Sequence, residues 1–301
     1  MRLLVSWLRD FVDVQAPAED IADTLGLRGF EVACIEAFDD GDAVIDFEVT
    51  ANRPDCMSVL GLAREVAAAY DVPVAMPSAA PGARIALSPL TGGRPDRLSV
   101  EVEDAERCPR YAAAVAEVAV GPSPDWLSRR LQAAGVRPIS TIVDLTNYVL
   151  IELGHPTHAF DLARLAGPAI RVRRARPGET LTTLDAVPRT LDPDMLVIAD
   201  RDRAQAVGGV MGGSSSEVSR ATTTVVLESA YFKPEYSVRW PAMASLSAPG
   251  RSKGERFASA SAAPKKMMKP PKPHGVNTCQ CGMKPHFQPA CAATTPVVES
   301  E

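Results

Sequence analysis

The stretch GHPTHAFD, residues 154–161, holds His155 and His158 three apart, with Asp161 three further on. That spacing fits half a metal site, a catalytic pair, or two unrelated imidazoles beside a turn. Zinc takes three or four protein ligands, and no third ligand of recognised spacing follows, so metal is the weakest of the three. Glu228 interrupts the apolar run VVLESAYF. A carboxylate drawn among apolar side chains must find a hydrogen-bond partner, so Glu228 is either a ligand-reading group or half of an ion pair. Between them lies AVGGVMGGSSSEV, residues 206–218, with glycine at 208, 209, 212 and 213. Glycines let backbone amides approach a phosphate or an acyl group closely. No GK[ST] follows and no GxGxxG opens a helix, so on its own the stretch reads better as a tight turn.

Two further clusters are weaker. Arg171, Arg173, Arg174 and Arg176 alternate along a strand-like segment, IRVRRAR. One face of it could meet phosphate, but a solvated sheet edge is the simpler reading. His274, Cys279, Cys281, His286 and Cys291 offer metal-ligand types. Their C-x-C step is not the usual zinc knuckle, and no folded scaffold surrounds them.

The elements that must position these groups follow from periodicity and punctuation. SWLRDFVDV places Trp7, Leu8 and Phe11 at helical spacing, and PAEDIADTLGLRG reads as a second helix with acids in its first turn. FEVACIEAF and DAVIDFEVT read as strands, and MSVLGLAREVAAAYDV as an amphipathic helix with Val59, Leu62 and Val66 on one face. After a Pro-, Gly- and Ala-rich linker at 76–98, LSVEVED and YAAAVAEVAV read as strands. SPDWLSRRLQAAG reads as a helix capped by Ser123, with Pro124 first and Gly135 as its stop. TIVDLTNYVLIELG reads as another helix, and IRVRRAR, ETLTTL, MLVIAD and TTVVLESAYF as strands. The fold class expected is therefore α+β: a small N-terminal α+β domain (1–75), the linker, and a mixed α+β domain (99–239).

The chain of 301 residues can bury more than one core, and 46% apolar with 23% charged residues is a globular composition. No apolar run approaches a membrane span, and no signal peptide is apparent in MRLLVSWLRDF, so a cytoplasmic location is expected. Cys34, Cys56 and Cys108 lack a disulfide framework spacing and read as small core residues. The net charge of −5 conceals an asymmetry: residues 1–240 carry 24 basic and 34 acidic side chains, residues 241–301 carry 8 and 3. The body is thus no broad electrostatic binder of nucleic acid, and RNA contact would need local arginines and shape. Past Trp240, apolar periodicity stops. Six of the seven lysines lie there, so composition marks 240–301 as disordered or foreign to the fold.

Taken in order, SWL…FV, LGLRGFEV and DFEVTANRPDCMSVLGLAREVA, then DLTNYV, HAFD, GGVMGGSSSEV and VVLESAYFKPEYSVR, resemble the bacterial phenylalanyl-tRNA synthetase beta subunit over most of residues 1–239. The resemblance implies that residues 99–239 are an editing-type domain, which hydrolyses tyrosine misattached to tRNA(Phe). It implies that ATP and magnesium belong to the full synthetase, whose aminoacylation site is in the alpha subunit, so no cofactor and no metal is expected for this chain. Its expected partners are tRNA(Phe) and the alpha subunit.

Carried over by position, the pocket falls on Thr146, Asn147, Gly208, Gly209 and Glu228 as substrate-binding residues and His158 as the catalytic one. Glu228 would accept the hydrogen bond of the tyrosine hydroxyl. His155 occupies a position where the family also shows glutamine, which argues against a two-His metal site. Three departures stand out. Only DDGD bridges the two N-terminal strands where most members insert an OB-fold tRNA-binding domain. Gly208 replaces the usual alanine. The resemblance stops at Trp240, ahead of the family's magnesium-binding, alpha-contacting and anticodon-binding parts, as a frameshift, a mispredicted gene end or a truncated paralogue would produce.

Overall fold

The computed structural model describes residues 1–76 and 98–233. The expected linker core and the tail, with its Cys/His set, lie outside them.

The N-terminal body begins with strand β1 (Arg2–Leu4), the single helical turn α1 (Val5–Leu8), helix α2 (Ala18–Gly26), strands β2 (Glu31–Phe38) and β3 (Asp42–Glu48), and helix α3 (Val59–Tyr70). β2 and β3 form an antiparallel hairpin, and β1 pairs with the far side of β3 (order β1-β3-β2). DDGD closes that hairpin as a short 3-10 turn, with Gly41 at φ +76° supplying the left-handed residue. Helix α3 starts at Ser58, whose hydroxyl accepts from the Gly61 amide at 3.1 Å. Gly61 is required there, because a Cβ would run into the Asp55 carbonyl. Leu3, Trp7, Leu8, Phe11, Ile21, Leu25, Ile45, Phe47, Leu62 and Val66 are at most 1% exposed and make one apolar cluster.

The first expected helix is cut to one turn. Phe11 and Val12 leave it because Val12 bridges Val74 and the Ala75 amide donates to the Phe11 carbonyl, so pairing with the end of the body outweighs local periodicity.

The second body contains β4 (Ser99–Val102), β5 (Arg110–Glu117), α4 (Asp125–Ala133), α5 (Thr141–Leu153), β6 (His158–Asp161) and β7 (Ala169–Arg174). These are followed by β8 (Thr180–Thr182), β9 (Pro188–Thr190), β10 (Leu196–Ala199), β11 (Ala204–Val207), β12 (Met211–Gly212) and β13 (Thr224–Tyr231). A three-stranded antiparallel sheet, β5-β13-β6, faces a five-stranded sheet, β12-β11-β10-β7-β4; β8 and β9 form a small ribbon. Tyr111, Ala113, Phe160, Val226 and Ala230 from the first sheet interleave with Ile170, Val172, Leu196, Ile198 and Ala206 from the second. The mixed α+β class is as expected.

Helices α4 and α5 tie the bodies together. Ala133 joins the N-terminal core, Trp7 stacks on Tyr148 at 4.8 Å, the Trp7 indole donates to Glu152 and Arg130 pairs with Asp10 at 2.6 Å. Gly135 (φ +82°) follows α4, as its role as a stop requires. Ser123 does not cap α4. Pro124 holds the N-cap position, while the Ser123 hydroxyl donates instead to Asp144, which is 0% exposed and also accepts from the Ile139 amide.

Candidate functional site: a polar cleft between two sheets

Strand β13 is central in its sheet, so its side chains alternate between the inter-sheet space and the outer face. Val226, Glu228 and Ala230 point inward. In register, Glu228 lies opposite Ala113 on one side and His158 on the other. The run HAFD is therefore a strand rather than a turn, and it sets the imidazole of His158 beside the carboxyl of Glu228 on one face.

Glu228 is 0% exposed. Its Oε2 accepts from the Tyr111 hydroxyl at 2.9 Å, and its Oε1 has no hydrogen-bond partner. No cation pairs with it among the described residues, so the ion-pair alternative does not hold. Burial pushes its carboxyl up to about 8, an effect that the Tyr111 hydrogen bond partly opposes. The same burial, together with the neighbouring Glu228 charge, drives the Tyr111 phenol well above its usual range. His158 is also buried, and burial lowers its imidazole to about 4, so it is neutral at pH 7. Its ring stands edge-on to Phe160 at 4.6 Å.

The glycine stretch packs against His158 from the opposite sheet. Gly208 follows β11, its amide donates to the Leu196 carbonyl at 2.9 Å, and Gly209 at φ +70° turns the chain into β12. A Cβ on Gly208 would lie 3.2 Å from Leu196 and 3.3 Å from Phe232, so alanine there would press on both side chains. Gly212 is more tightly constrained: a Cβ would overlap Cε1 and Nε2 of His158. Thr146 and Asn147 sit on α5. Thr146 is buried and its hydroxyl is held by the Val143 carbonyl at 2.7 Å; Asn147 is half-buried. Thr157 donates to the Thr146 carbonyl at 3.4 Å, which docks this turn of α5 on the start of β6.

His155 faces the other way. Its Nε2 is 3.0 Å from the hydroxyl of Ser229, which projects from the opposite face of β13 to Glu228. The two histidines therefore cannot share a metal. The arginines are not on a sheet edge either: β7 lies between β10 and β4. Arg173 is 4% exposed and binds Glu179 through both terminal nitrogens at 2.7 and 2.8 Å. Arg171 pairs with Glu101 and Glu103, and Arg174 with Asp104. These partners neutralise the face that phosphate would have met. Cys34, Cys56 and Cys108 form no disulfide; Cys56 and Cys108 are buried as expected, whereas Cys34 is half-buried on β2 beside Glu36 rather than in the core. Asp55, Cys56 and Glu65 group closely enough for a cation, but the Arg53 guanidinium already lies 2.8, 2.9 and 2.7 Å from them.

Sequence reasoning missed two cleft residues. Tyr111 opens a strand of small residues, YAAAVA, and alanines opposite a lone glutamate are a pattern that leaves room beside it. Gly212 was noticed only as part of the glycine run, because its contact with His158 depends on how two sheets face each other. A separate open groove of about 550 Å³ runs past Arg176, Glu179, Thr182, Arg203 and Ser215. Neither Glu228 nor His158 lines it, and Glu179 is already taken by Arg173.

Residues 107–256 match the B3/4 domain family, which defines the class of the second body. Curated relatives are phenylalanine–tRNA ligase beta subunits. That of Anaeromyxobacter dehalogenans is 54% identical over 200 residues, covering 66% of this chain and 24% of its own. That of Moorella thermoacetica is 47% identical over 218 residues, covering 72% and 25%. That of Rhodopirellula baltica is 43% identical over 235 residues, covering 77% and 34%. The chain belongs to the phenylalanine–tRNA ligase beta-subunit family, and spans about a quarter to a third of the length of these relatives. A solved N-terminal fragment of the beta subunit from Pyrococcus horikoshii aligns with 15% identity and a TM-score of 0.39 over 81% of this chain and 74% of that one, too loosely to inform the site. No helix among the described residues is long and apolar enough to cross a membrane.

Proposed function

We propose that the cleft hydrolyses the ester of tyrosine misattached to tRNA(Phe), as the editing portion of a synthetase that charges that tRNA with phenylalanine. The observation that carries this reading is the unpartnered Oε1 of Glu228, buried beside a carboxylate oxygen already held by Tyr111. A buried polar atom without a partner costs about 1–3 kcal/mol. A phenol inserted between the sheets removes that cost by donating its proton to Oε1; a phenyl ring does not. At 1.4 kcal/mol per decade, the difference favours tyrosine by roughly 5- to 150-fold. An apolar synthetic pocket rejects an added hydroxyl by only about a hundredfold, so a second site with inverted preference is what accurate charging needs.

In the reaction, water attacks the acyl carbon, the bond from that carbon to the ribose oxygen breaks, and the ribose oxygen takes a proton. Tyrosine leaves as its carboxylate. A general base works best with a pKa near the working pH, and an imidazole at about 4 is far below it. His158 therefore acts as a neutral hydrogen-bonding group that orients the water or the ester, held in place by Gly212 and Phe160. Thr146, Asn147 and the Gly208–Gly209 turn bound the amino acid. No step calls for ATP or magnesium, which serve aminoacylation in the full synthetase. By the family's name, association with an alpha subunit is the corresponding expectation for this chain.

A non-catalytic role, binding the alpha subunit or binding tRNA only with a partner's help, is the second reading, because the acidic body gives the chain little electrostatic hold on tRNA by itself. The deciding experiment is release of tyrosine from Tyr-tRNA(Phe) by the purified chain beside a His158→Ala variant. Editing requires release by the wild type and its loss in the variant. No release by a folded wild type leaves the binding reading.

A further inference from the structure

The proposed site contains a second polar group that the phenol-reading role of Glu228 does not itself require. Tyr111 is buried near the start of β5, two residue pairs along the ladder from Glu228 and so on the same face, and its hydroxyl ends 2.9 Å from Oε2. The carboxyl therefore has one oxygen committed and one open. A free carboxyl could rotate and offer either oxygen to hydroxyls at several positions on an aromatic ring. A carboxyl pinned by Tyr111 offers one acceptor in one direction.

We propose that Tyr111 is a specificity-determining positioning residue: by occupying Oε2 it fixes Oε1 of Glu228 as the single acceptor, so the cleft reads the position of a ring hydroxyl as well as its presence. This rests on the proposed editing reading and extends it to a substrate class, para-hydroxylated aromatic aminoacyl esters. The surroundings make the pinning effective. The groups facing Glu228 that can titrate are Tyr111, His158 across the ladder, and the buried thiol of Cys108, whose ionisation Glu228 opposes. The facing sheet contributes Ile170, Val172, Leu196, Ile198 and Ala206, none of which can compete for a carboxylate oxygen. Donation from Tyr111 also favours the ionised carboxyl, the better acceptor for a phenol proton.

The test uses the full chain with tRNA(Phe) charged with tyrosine, meta-tyrosine or phenylalanine. Wild type should hydrolyse the tyrosine ester at least about tenfold faster, as kcat/KM, than the meta-tyrosine ester, in keeping with one buried hydrogen bond. Tyr111→Phe should bring those two together and move the alkaline rise of tyrosine-ester kcat/KM to higher pH, because the hydrogen bond that holds the Glu228 carboxyl down is gone. Retained para preference and an unmoved pH profile in a folded Tyr111→Phe protein overturn the assignment to Tyr111. If that variant does not fold, the wild-type comparison decides: equal hydrolysis of para and meta esters overturns it. Failure of the editing reading is distinct, since wild type would then release none of the three, or tyrosine and phenylalanine alike.

Discussion

The two bodies solve opposite problems with similar materials. Of the 14 buried polar or charged side chains among the described residues, only Ser58 lies in the N-terminal body, where its hydroxyl caps a helix. The rest lie in the second body, and most have partners: Asp200 with Gln205 at 2.6 Å, Asp161 with Thr222 at 2.7 Å, and the two terminal nitrogens of Arg173 with Glu179, although its Nε and the Ser216 hydroxyl have none. Glu228 is the buried carboxylate among them with an oxygen unpaired. An interior built for stability leaves few such atoms, and an open carboxyl oxygen is among the costliest, because the cost is not returned by the fold. The N-terminal body is a packing device that anchors α4 and α5. The second body carries a polar cost that a ligand can relieve.

The comparison is broken most severely by attacking the packing side. Trp7→Ala removes a side chain that is 1% exposed, stacks on Tyr148 and lies under Arg130, and should destabilise by about 3–5 kcal/mol. Denaturant unfolding of the variant measures it; a loss below about 1 kcal/mol would mean the N-terminal core is not what holds the helices.

The polar side is sharpened by pH. His158 titrates near 4 when folded against 6.5 as a free side chain. A depressed imidazole contributes stability that is full above 6.5 and lost as pH falls toward 4, on the order of 3 kcal/mol. Glu228, raised to about 8, runs the other way: its contribution is full below its ordinary 4.5 and is lost as pH rises through 8. Thermal melts of His158→Asn should lack the acid-side loss, and those of Glu228→Gln the alkaline-side loss. Unchanged pH dependence in both would contradict burial of these groups.

Gly212→Ala should act on chemistry more than on folding. The added methyl displaces the His158 ring, so deacylation should fall by about tenfold or more, with a stability loss of about 1–3 kcal/mol from overpacking. Wild-type rates in this variant would show that the ring position does not matter. The smallest effect belongs to Arg171→Ala. Its exchange with Glu101 and Glu103 is at the surface, so unfolding free energy should change by about 0–1 kcal/mol. A larger loss would make the arginine run structural after all.

Much of the fold was legible because the signals were local. Gly135 ended a helix where a left-handed residue was needed, and the apolar run VVLESAYF marked Glu228 as a carboxyl drawn among apolar side chains. What failed was non-local. The short strands β1 and β6 exist because partners in distant parts of the chain, β3 and β13, pair with them. Arg173 read as an edge residue because its partner, Glu179, lies beyond a turn that no periodicity indicates. The site was half legible. Glu228 and His158 could be singled out by type and family resemblance, while Tyr111 and Gly212 became visible only once the strands were in register and the sheets faced each other.

The central claim is that Glu228 reads the tyrosine hydroxyl, and the ratio of tyrosine to phenylalanine release from tRNA(Phe) by wild type and by Glu228→Ala tests it most directly. Wild type should prefer tyrosine by roughly 5- to 150-fold, and the variant should bring the ratio close to one by losing tyrosine release while keeping slow phenylalanine release. A wild type that releases both at equal rates, or a variant that keeps the wild-type ratio, would contradict the account.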